Sequence, residues 1–578
     1  MNSKTTKFCF WRTILVCVFL AIFLLIGIFR VFALQIMESD RGPNFLQSEG
    51  SKRSLRISEI PAYRGVITDR HGESLAVSTP VVSIFADPSR LARAGDSVLS
   101  ELSDTIEISL EKLKAKLENY HEKDFMYLAR HLSPDAARII LSQGYPGIYE
   151  KKEYRRFYPA GEVVAHVVGI TNVDGKGIDG IELAYDEWLS GEAGHKRYIK
   201  NLHGEAVRDI GIVKAARPGG DLRLSIDLRL QYVHHRELRR AMSLHQAESG
   251  SLITLDAKTG EILAMVSQPG YNPNNRSGVS IGAIRNRVLT DSYEPGSTAK
   301  PFTLVAALES GRFTVDSLID TSPGKIEVDG KILRDQLDYG KITLSRAIVK
   351  SSQVGVTKLA LQLGGEVISD VFRRFGMGEP VNTGFPGESW GLLPRRLAWT
   401  SIQEANLAFG YGLRASPMQL AKAYGIFANK GTHQPISLLA LEAKDLPHSR
   451  SILSPSIASQ VLGVLRSVTE EEGGTGSRAK VPGFSVAGKT GTVRKLGISG
   501  YEQDQHIALF AGIMPADIPR FVTVVVIDKP KGDKYHGGTV AAPVFSKVAE
   551  ETLRLMNIPP QKDKVRFVFD SSISGDRA

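Results

Sequence analysis

Cysteine is nearly missing from this chain. Cys9 and Cys17 are the only two in 578 residues, and both lie near the N-terminus. A disulfide scaffold and a Cys-ligated metal site are thereby excluded. Dense Lys/Arg blocks are also lacking, so the formal charge of +10 reads as a solvated basic surface and no nucleic-acid partner is expected. Internal repeats and low-complexity tracts are absent. After the first 34 residues no apolar run is long enough to cross a bilayer. What remains is a globular composition, 42% hydrophobic and 23% charged, in a chain too long for one core; two or three folded units are expected.

The one long apolar run is Thr13 to Phe29, extended past Arg30 by Val31–Leu34. At ~1.5 Å per residue, about 20 residues span a hydrocarbon core. Lys4, Lys7 and Arg12 precede the run, so residues 1–12 are expected in the cytoplasm, 13–34 in the membrane and the remainder outside. A cleaved signal peptide ending at Val31-Phe32-Ala33 is the alternative. The run exceeds an ordinary signal core and Arg30 abuts that site, which favours an uncleaved, single-pass anchor. Cys17 lies mid-run without a lipobox.

Residues 35–57 are mostly polar and read as a stalk. A mixed region follows to about residue 220, with a β-type run at Val81–Ala86 and helical runs at Leu110–Leu117 and Asp135–Gln143. Arg217-Pro-Gly-Gly220 is a turn cluster. A second region, 221–560, opens with a short strand at Leu222–Asp227 and a helix over 228–243. Gly250–Asp256 and Ile262–Ser267 form a hairpin across Lys258-Thr-Gly-Glu261. Helices dominate 298–430, two buried strands follow at Ile507–Ile513 and Phe521–Ile527, and a helix closes at Val544–Met556. Strands at both ends with helices between predict an α/β (α+β) fold: one antiparallel sheet flanked by helices. Residues 561–578 read as a tail.

Three short elements carry chemistry. Glu294-Pro-Gly-Ser-Thr-Ala-Lys300-Pro301 precedes an apolar helical run, so Ser297 sits at a helix start with Lys300 one turn on, on the same face. A Ser hydroxyl needs a base, and a Lys serves if burial or another cation lowers its pKa. Alone, the tetrapeptide reads more often as an ordinary cap beside a surface Lys. Ser351-Ser352-Gln353 offers a second hydroxyl just past a helix-like run; alone it is a polar turn. Ala487-Gly488-Lys489-Thr490-Gly491-Thr492 is a β-type segment whose glycines admit close approach. From Gly483 to Thr490 the chain formally matches a P-loop, but no helical run follows, which argues against a nucleotide site.

In the order S-x-x-K, S-x-Q, K-T-G, these elements resemble the penicillin-binding proteins and serine β-lactamases. Arg64-Gly65-Val-Ile-Thr-Asp69-Arg70-His-Gly72, Arg156-Phe-Tyr-Pro159-Ala-Gly161 and Gly177-Ile-Asp-Gly180-Ile-Glu182 resemble the pedestal of the class B, monofunctional branch. Asn272-Pro-Asn-Asn-Arg276 and Arg285-Asn-Arg287 are similar to its division-specific members. The resemblance implies a pedestal, or dimerisation-type, domain at 58–220 and a transpeptidase domain at 221–560. It further implies that Ser297 is acylated, Lys300 is the base, Ser351 returns a proton to the leaving D-alanine and Lys489 keeps the site positive. Gln353, Thr490, Gly491, Thr492, Tyr535 and His536 would bind substrate. Peptidoglycan stem peptides and β-lactams would be the ligands, no cofactor or metal is implied, and a polytopic glycosyltransferase with other divisome proteins would be the partners. The catalytic part would face the periplasm from the inner membrane. Two departures stand out: Gln353 where the family has Asn, and Tyr535-His536-Gly537-Gly538 where it has two aromatics before Gly-Gly. They fit a specialised paralogue acting in elongation or at acidic pH as well as a septal enzyme. A β-lactamase would need a deacylating base, with Glu309 and Glu404 as unassigned candidates; a β-lactam sensor would normally be wired to a cytoplasmic or multi-span signalling part, and the intact Ser297–Lys300 pair argues against a dead scaffold.

Overall fold

A computed structural model describes residues 10–36, 43–200, 206–497 and 500–560. Most of the expected N-terminal tail, part of the stalk and the tail 561–578 lie outside the described residues. The chain divides into two compact units, 1–63 with 191–219, and 64–190 with 220–578.

In the first unit, Phe10–Gln35 is a single helix of 26 residues with mean hydropathy 3.0 and no buried residue, long and apolar enough to cross a membrane. The polar stretch read as stalk is helical at Pro43–Ser54 and then enters the strand Leu55–Ile60. That strand pairs antiparallel with Gly194–Lys200, which pairs with Ala206–Lys214.

The second unit begins with three strands of the expected pedestal, β1 (Ser74–Ala86), β2 (Met126–Leu132) and β3 (Ile148–Phe157), with β1 central and both pairings antiparallel. Alternate inward residues of β1 and β2, such as Ile84, Ala86, Met126 and Leu128, close a small core with Leu102, Leu113 and Ile140 of short helices. Glu182, fully buried, holds this region together. Its carboxylate accepts from Arg64 Nε at 2.7 Å and from Arg156 Nε at 2.6 Å.

After this come α1 (Leu228–Leu244), β4 (Ser249–Asp256) and β5 (Ile262–Gln268). The strand expected over Leu222–Asp227 is shorter than its apolar pattern suggests. Only Leu222–Arg223 pairs as strand, beside Ile67–Thr68, because Asp227 is already the N-cap of α1 and accepts from Arg229 N. The helical middle supplies α2 (Lys300–Glu309), α3 (Leu344–Val349), α4 (Gln353–Leu363) and α5 (Pro417–Ala428). Then β6 (Ala487–Gly497), β7 (Gly500–Met514) and β8 (Phe521–Asp528) complete one sheet in the order β5-β4-β8-β7-β6, every pair antiparallel.

Strand periodicity explains the layers. Ile253, Leu255, Leu509, Ala511, Val522 and Val524 face a core shared with α2 and α5. Their neighbours Leu252, Ala508, Phe510, Val525 and Ile527 face the other way, against α1 and the closing helix α6 (Gly537–Leu555). The α/β sandwich expected from the sequence is present. The closing helix starts seven residues before Val544, since a Gly-Gly pair and Pro543 disguise a helical segment in sequence. The sheet places β6 at an edge. Aromatic packing fixes α2: the Phe302 ring lies 5.1 Å from Phe375, 5.5 Å from Phe427 and 5.9 Å from Tyr424.

Candidate active site

The turn Glu294–Gly296 leads into one 3₁₀ turn, Gly296–Ala299, and then directly into α2. Ser297 is half-buried there, and its side chain does not cap the helix. Tyr424, fully buried, donates to Thr298 O at 2.8 Å, and Glu294 accepts from Tyr501 Oη at 2.9 and 3.0 Å. The serine turn is thereby tied to α5 on one side and to the β6–β7 hairpin on the other.

Gly491 brings the edge strand against this turn. A Cβ there would stand 3.0 Å from Thr298 Cγ2 and 3.1 Å from Pro295 O, so the residue has to be small. Gly537 is constrained in the same way: its Cβ would meet Gly491 O at 2.2 Å and Leu509 O at 2.4 Å. The Gly-Gly step after His536 thus lets α6 start on the back of the K-T-G strand.

Ser351 follows α3 in a left-handed conformation with φ +58°, uncommon for a residue with a side chain and typical of functional sites. This bend carries its hydroxyl between two lysines. Lys300 Nζ donates to Ser351 Oγ at 3.1 Å and also to Ser351 O; Lys489 Nζ donates to the same Oγ at 3.0 Å and to Thr490 O at 3.2 Å. Both lysines are fully buried. Burial pushes Lys300 down to about 7, against the pull of the Asp335 carboxylate. Burial, with Lys300 beside it, holds Lys489 well below the ordinary lysine range. Two ammonium groups on one oxygen repel, so near neutrality the pair titrates as a unit in which one amine is free to accept a proton. Among the described residues no hydrogen bond joins Ser297 Oγ to either lysine; both converge on Ser351.

Asp335 was not singled out in the sequence. Its carboxylate caps α4, accepting from Ser352 Oγ, Gln353 N and Val354 N. A carboxylate at a helix N-terminus is favourable, and here it also fixes Ser351 and Gln353 on either side of Ser352.

These parts surround a cavity of about 490 Å³, lined by Ser297, Ser351, Gln353, Thr490, Thr492, Tyr535 and His536. Lys300, Lys489 and Gly491 lie buried behind that lining. Thr492 Oγ1 accepts from Gly537 N at 3.0 Å, which leaves its O–H free to donate; Thr490 Oγ1 donates to Thr475 Oγ1 at 3.0 Å. Tyr535 stacks on His506 with centroids 4.0 Å apart and touches His536 at 4.4 Å. His506 is held below the ordinary histidine range by burial, by Arg494 and by His536. Arg334, Tyr411, Thr475, Arg494 and His506 also line the cavity and were missed in the sequence, where nothing local marks them. Glu309 and Glu404, the deacylation candidates, lie outside the lining: Glu309 pairs with Arg374 and Glu404 accepts from Gly365 N at 2.9 Å. The P-loop pattern falls on β6, which runs on as strand and opens no helix. Among the described residues no group of three or more His, Cys, Asp or Glu is gathered around a metal position.

The family description "Penicillin binding protein transpeptidase domain" matches residues 250–550, and "Penicillin-binding Protein dimerisation domain" matches 59–224. The chain is 41% identical to Peptidoglycan D,D-transpeptidase FtsI of Escherichia coli strain K12, over 98% of this chain and 96% of that protein. It is 40% identical to the Probable peptidoglycan D,D-transpeptidase PbpC of Pseudomonas aeruginosa, over 92% and 93%. Among solved structures, penicillin-binding protein 3 of Mycobacterium tuberculosis complexed with aztreonam superposes with a TM-score of 0.67 at 27% identity, covering 88% of this chain and 99% of that one.

Proposed function

The chain belongs to the penicillin-binding proteins, in the class B branch close to penicillin-binding protein 3, and we propose that it cross-links peptidoglycan as a serine D,D-transpeptidase through an acyl-enzyme on Ser297. The observation that carries this reading is the hydroxyl of Ser351 shared by two buried lysines, in a cavity that also exposes Ser297.

In this reading a donor stem peptide lies along β6, whose outer edge has no partner strand among the described residues and leaves backbone groups for an extended peptide. The Thr492 hydroxyl, with Thr490 beside it, binds the terminal D-Ala carboxylate, whose negative charge favours the protonated form of the nearby Lys489. Lys300 as the free amine takes the Ser297 proton as Oγ attacks the carbonyl. The tetrahedral oxyanion is held by the backbone N–H groups of Ser297 and Thr492. The C–N bond breaks, and the leaving D-alanine amine receives its proton through Ser351. A second stem's amine then attacks the ester, gives its proton back along the same route and restores Ser297. Gln353, Tyr535 and His536 shape the donor pocket. A β-lactam takes the donor's place and leaves a stable ester.

The proposal extends to cellular context. Residues 58–220 form the pedestal domain and 221–560 the transpeptidase domain. The apolar helix anchors the protein in the inner membrane with its N-terminus in the cytoplasm and the catalytic part in the periplasm, by the positive-inside rule. Septal synthesis beside a polytopic glycosyltransferase and other divisome proteins is the favoured role, supported by the name of the 41% identical FtsI. Mass spectrometry of the protein treated with benzylpenicillin tests the chemistry: one adduct on Ser297 is expected, and an adduct that persists in Ser297→Ala contradicts it.

A further inference from the structure

A second cavity, of about 160 Å³, shares no lining residue with the first. Its walls include Arg155, Arg156, Tyr158, Thr171, Asn274 and Arg276. They come from two motifs that the acyl-transfer chemistry leaves unused, Arg156-Phe-Tyr-Pro159 and Asn272-Pro-Asn-Asn-Arg276. The two segments are locked together. Asn274 Oδ1 accepts from Tyr158 N at 3.0 Å, its Nδ2 donates to Tyr158 O at 2.9 Å, and Arg155 Nη2 donates to Asn274 O at 3.3 Å.

Charge in this cavity is one-sided. The Arg156 side chain is 2% exposed and donates Nε to Glu182 and Nη1 to Ser78 Oγ and Arg64 O, but among the described residues its buried Nη2 has no hydrogen-bond partner. A buried guanidinium nitrogen left unbonded is costly unless a ligand fills the place. Glu182 cannot serve, because it is already shared between Arg64 and Arg156. Arg155 and Arg276 are exposed and, among the described residues, neither forms an ion pair with a carboxylate. The nearby carboxylates of Glu153 and Asp174 are both engaged by Arg130. The Tyr158 hydroxyl stays protonated because of its burial; it accepts from Thr171 N at 3.0 Å and also bonds the Thr171 side chain. His131, also in the lining, is pushed below the ordinary histidine range by burial and by Arg130 and Arg155.

We propose that this cavity binds a single oxyanion head group, a carboxylate or a phosphate, between the open Nη2 of Arg156 and the guanidiniums of Arg155 and Arg276. Planar guanidinium forks match both oxyanions. The volume of about 160 Å³ suits one such head group. The site stands apart from the acylation cavity and binds whether or not Ser297 is acylated.

The test uses the full chain, acylated to completion with benzylpenicillin so that the first cavity is occupied. Calorimetric titration at low ionic strength is run with inorganic phosphate and, separately, with acetate. One saturable site is expected for at least one ion, weakened by about tenfold or more in Arg155→Ala/Arg276→Ala and retained in large part in Arg155→Lys/Arg276→Lys. Both positions are exposed, and thermal unfolding of each variant checks that loss of the Arg155–Asn274 bond leaves the fold intact. Tighter phosphate binding assigns a phosphate ligand, and tighter acetate binding a carboxylate. Absence of saturable binding for both ions, or binding that the double alanine variant leaves unchanged, overturns the proposal.

Discussion

Lys300 and Lys489 reach the same atom from opposite elements: one from the first turn of α2, the other from edge strand β6, at 3.1 and 3.0 Å from Ser351 Oγ. Both are buried, and burial lowers both. Acylation by a β-lactam should therefore rise with pH through about 7, where Lys300 loses its proton, and the apparent midpoint belongs to the pair. Lys300→Ala should slow acylation by at least ~10²-fold, the usual scale for a positioned base. Stopped-flow measurement of the second-order rate checks both; a rate within a few-fold of wild type removes Lys300 as the base.

Asp335 supports the charged form of Lys300 and caps α4. Asp335→Asn removes that support, so Lys300 should deprotonate at lower pH and the acylation profile should shift to the acid side. The Asn Oδ1 can still accept from Gln353 N and Val354 N, so stability should fall by less than the ~1 kcal/mol that a lost cap costs. Denaturant unfolding and the pH profile read the two effects separately; an unmoved profile denies the electrostatic link.

Much of this arrangement was legible in the sequence, because its parts are local. The S-x-x-K spacing, the hairpin across Lys258–Glu261 and the β-branched run of β8 each carry their own periodicity or turn chemistry. The remainder depends on tertiary convergence. Asp335 lies 16 positions before Ser351 and gains its role only where α4 begins. Ser351 needs a left-handed bend that no residue near it announces. Arg494 and His506 face each other in register across β6 and β7, a pairing only the folded sheet supplies. The start of α6 was hidden because Gly537 and Gly538 read as a loop, whereas they are required by contact with Gly491 and Thr475.

Gln353 keeps the amide of the family's Asn on a longer arm; its backbone N–H donates to Asp335, and among the described residues its side-chain amide forms no hydrogen bond. Its side chain lines the cavity without holding the lysines. Gln353→Asn should change β-lactam affinities while preserving acylation. A variant that no longer acylates would contradict this.

His536 sits in an aromatic wall with Tyr535 and His506. His536→Tyr exchanges this ring for a bulkier phenol in the cavity lining, so β-lactam affinities should change while acylation of Ser297 persists. Unchanged affinities for a panel of β-lactams remove this role.

The central claim is that Ser297 is the acylated residue and that it reacts in this lysine-bridged cavity. Intact-mass and peptide mass spectrometry after benzylpenicillin treatment measure it directly. The expected result is one stoichiometric adduct on the peptide containing Ser297, lost in a Ser297→Ala variant that unfolds at the wild-type temperature. An adduct on another residue, or undiminished labelling of the folded variant, contradicts the account.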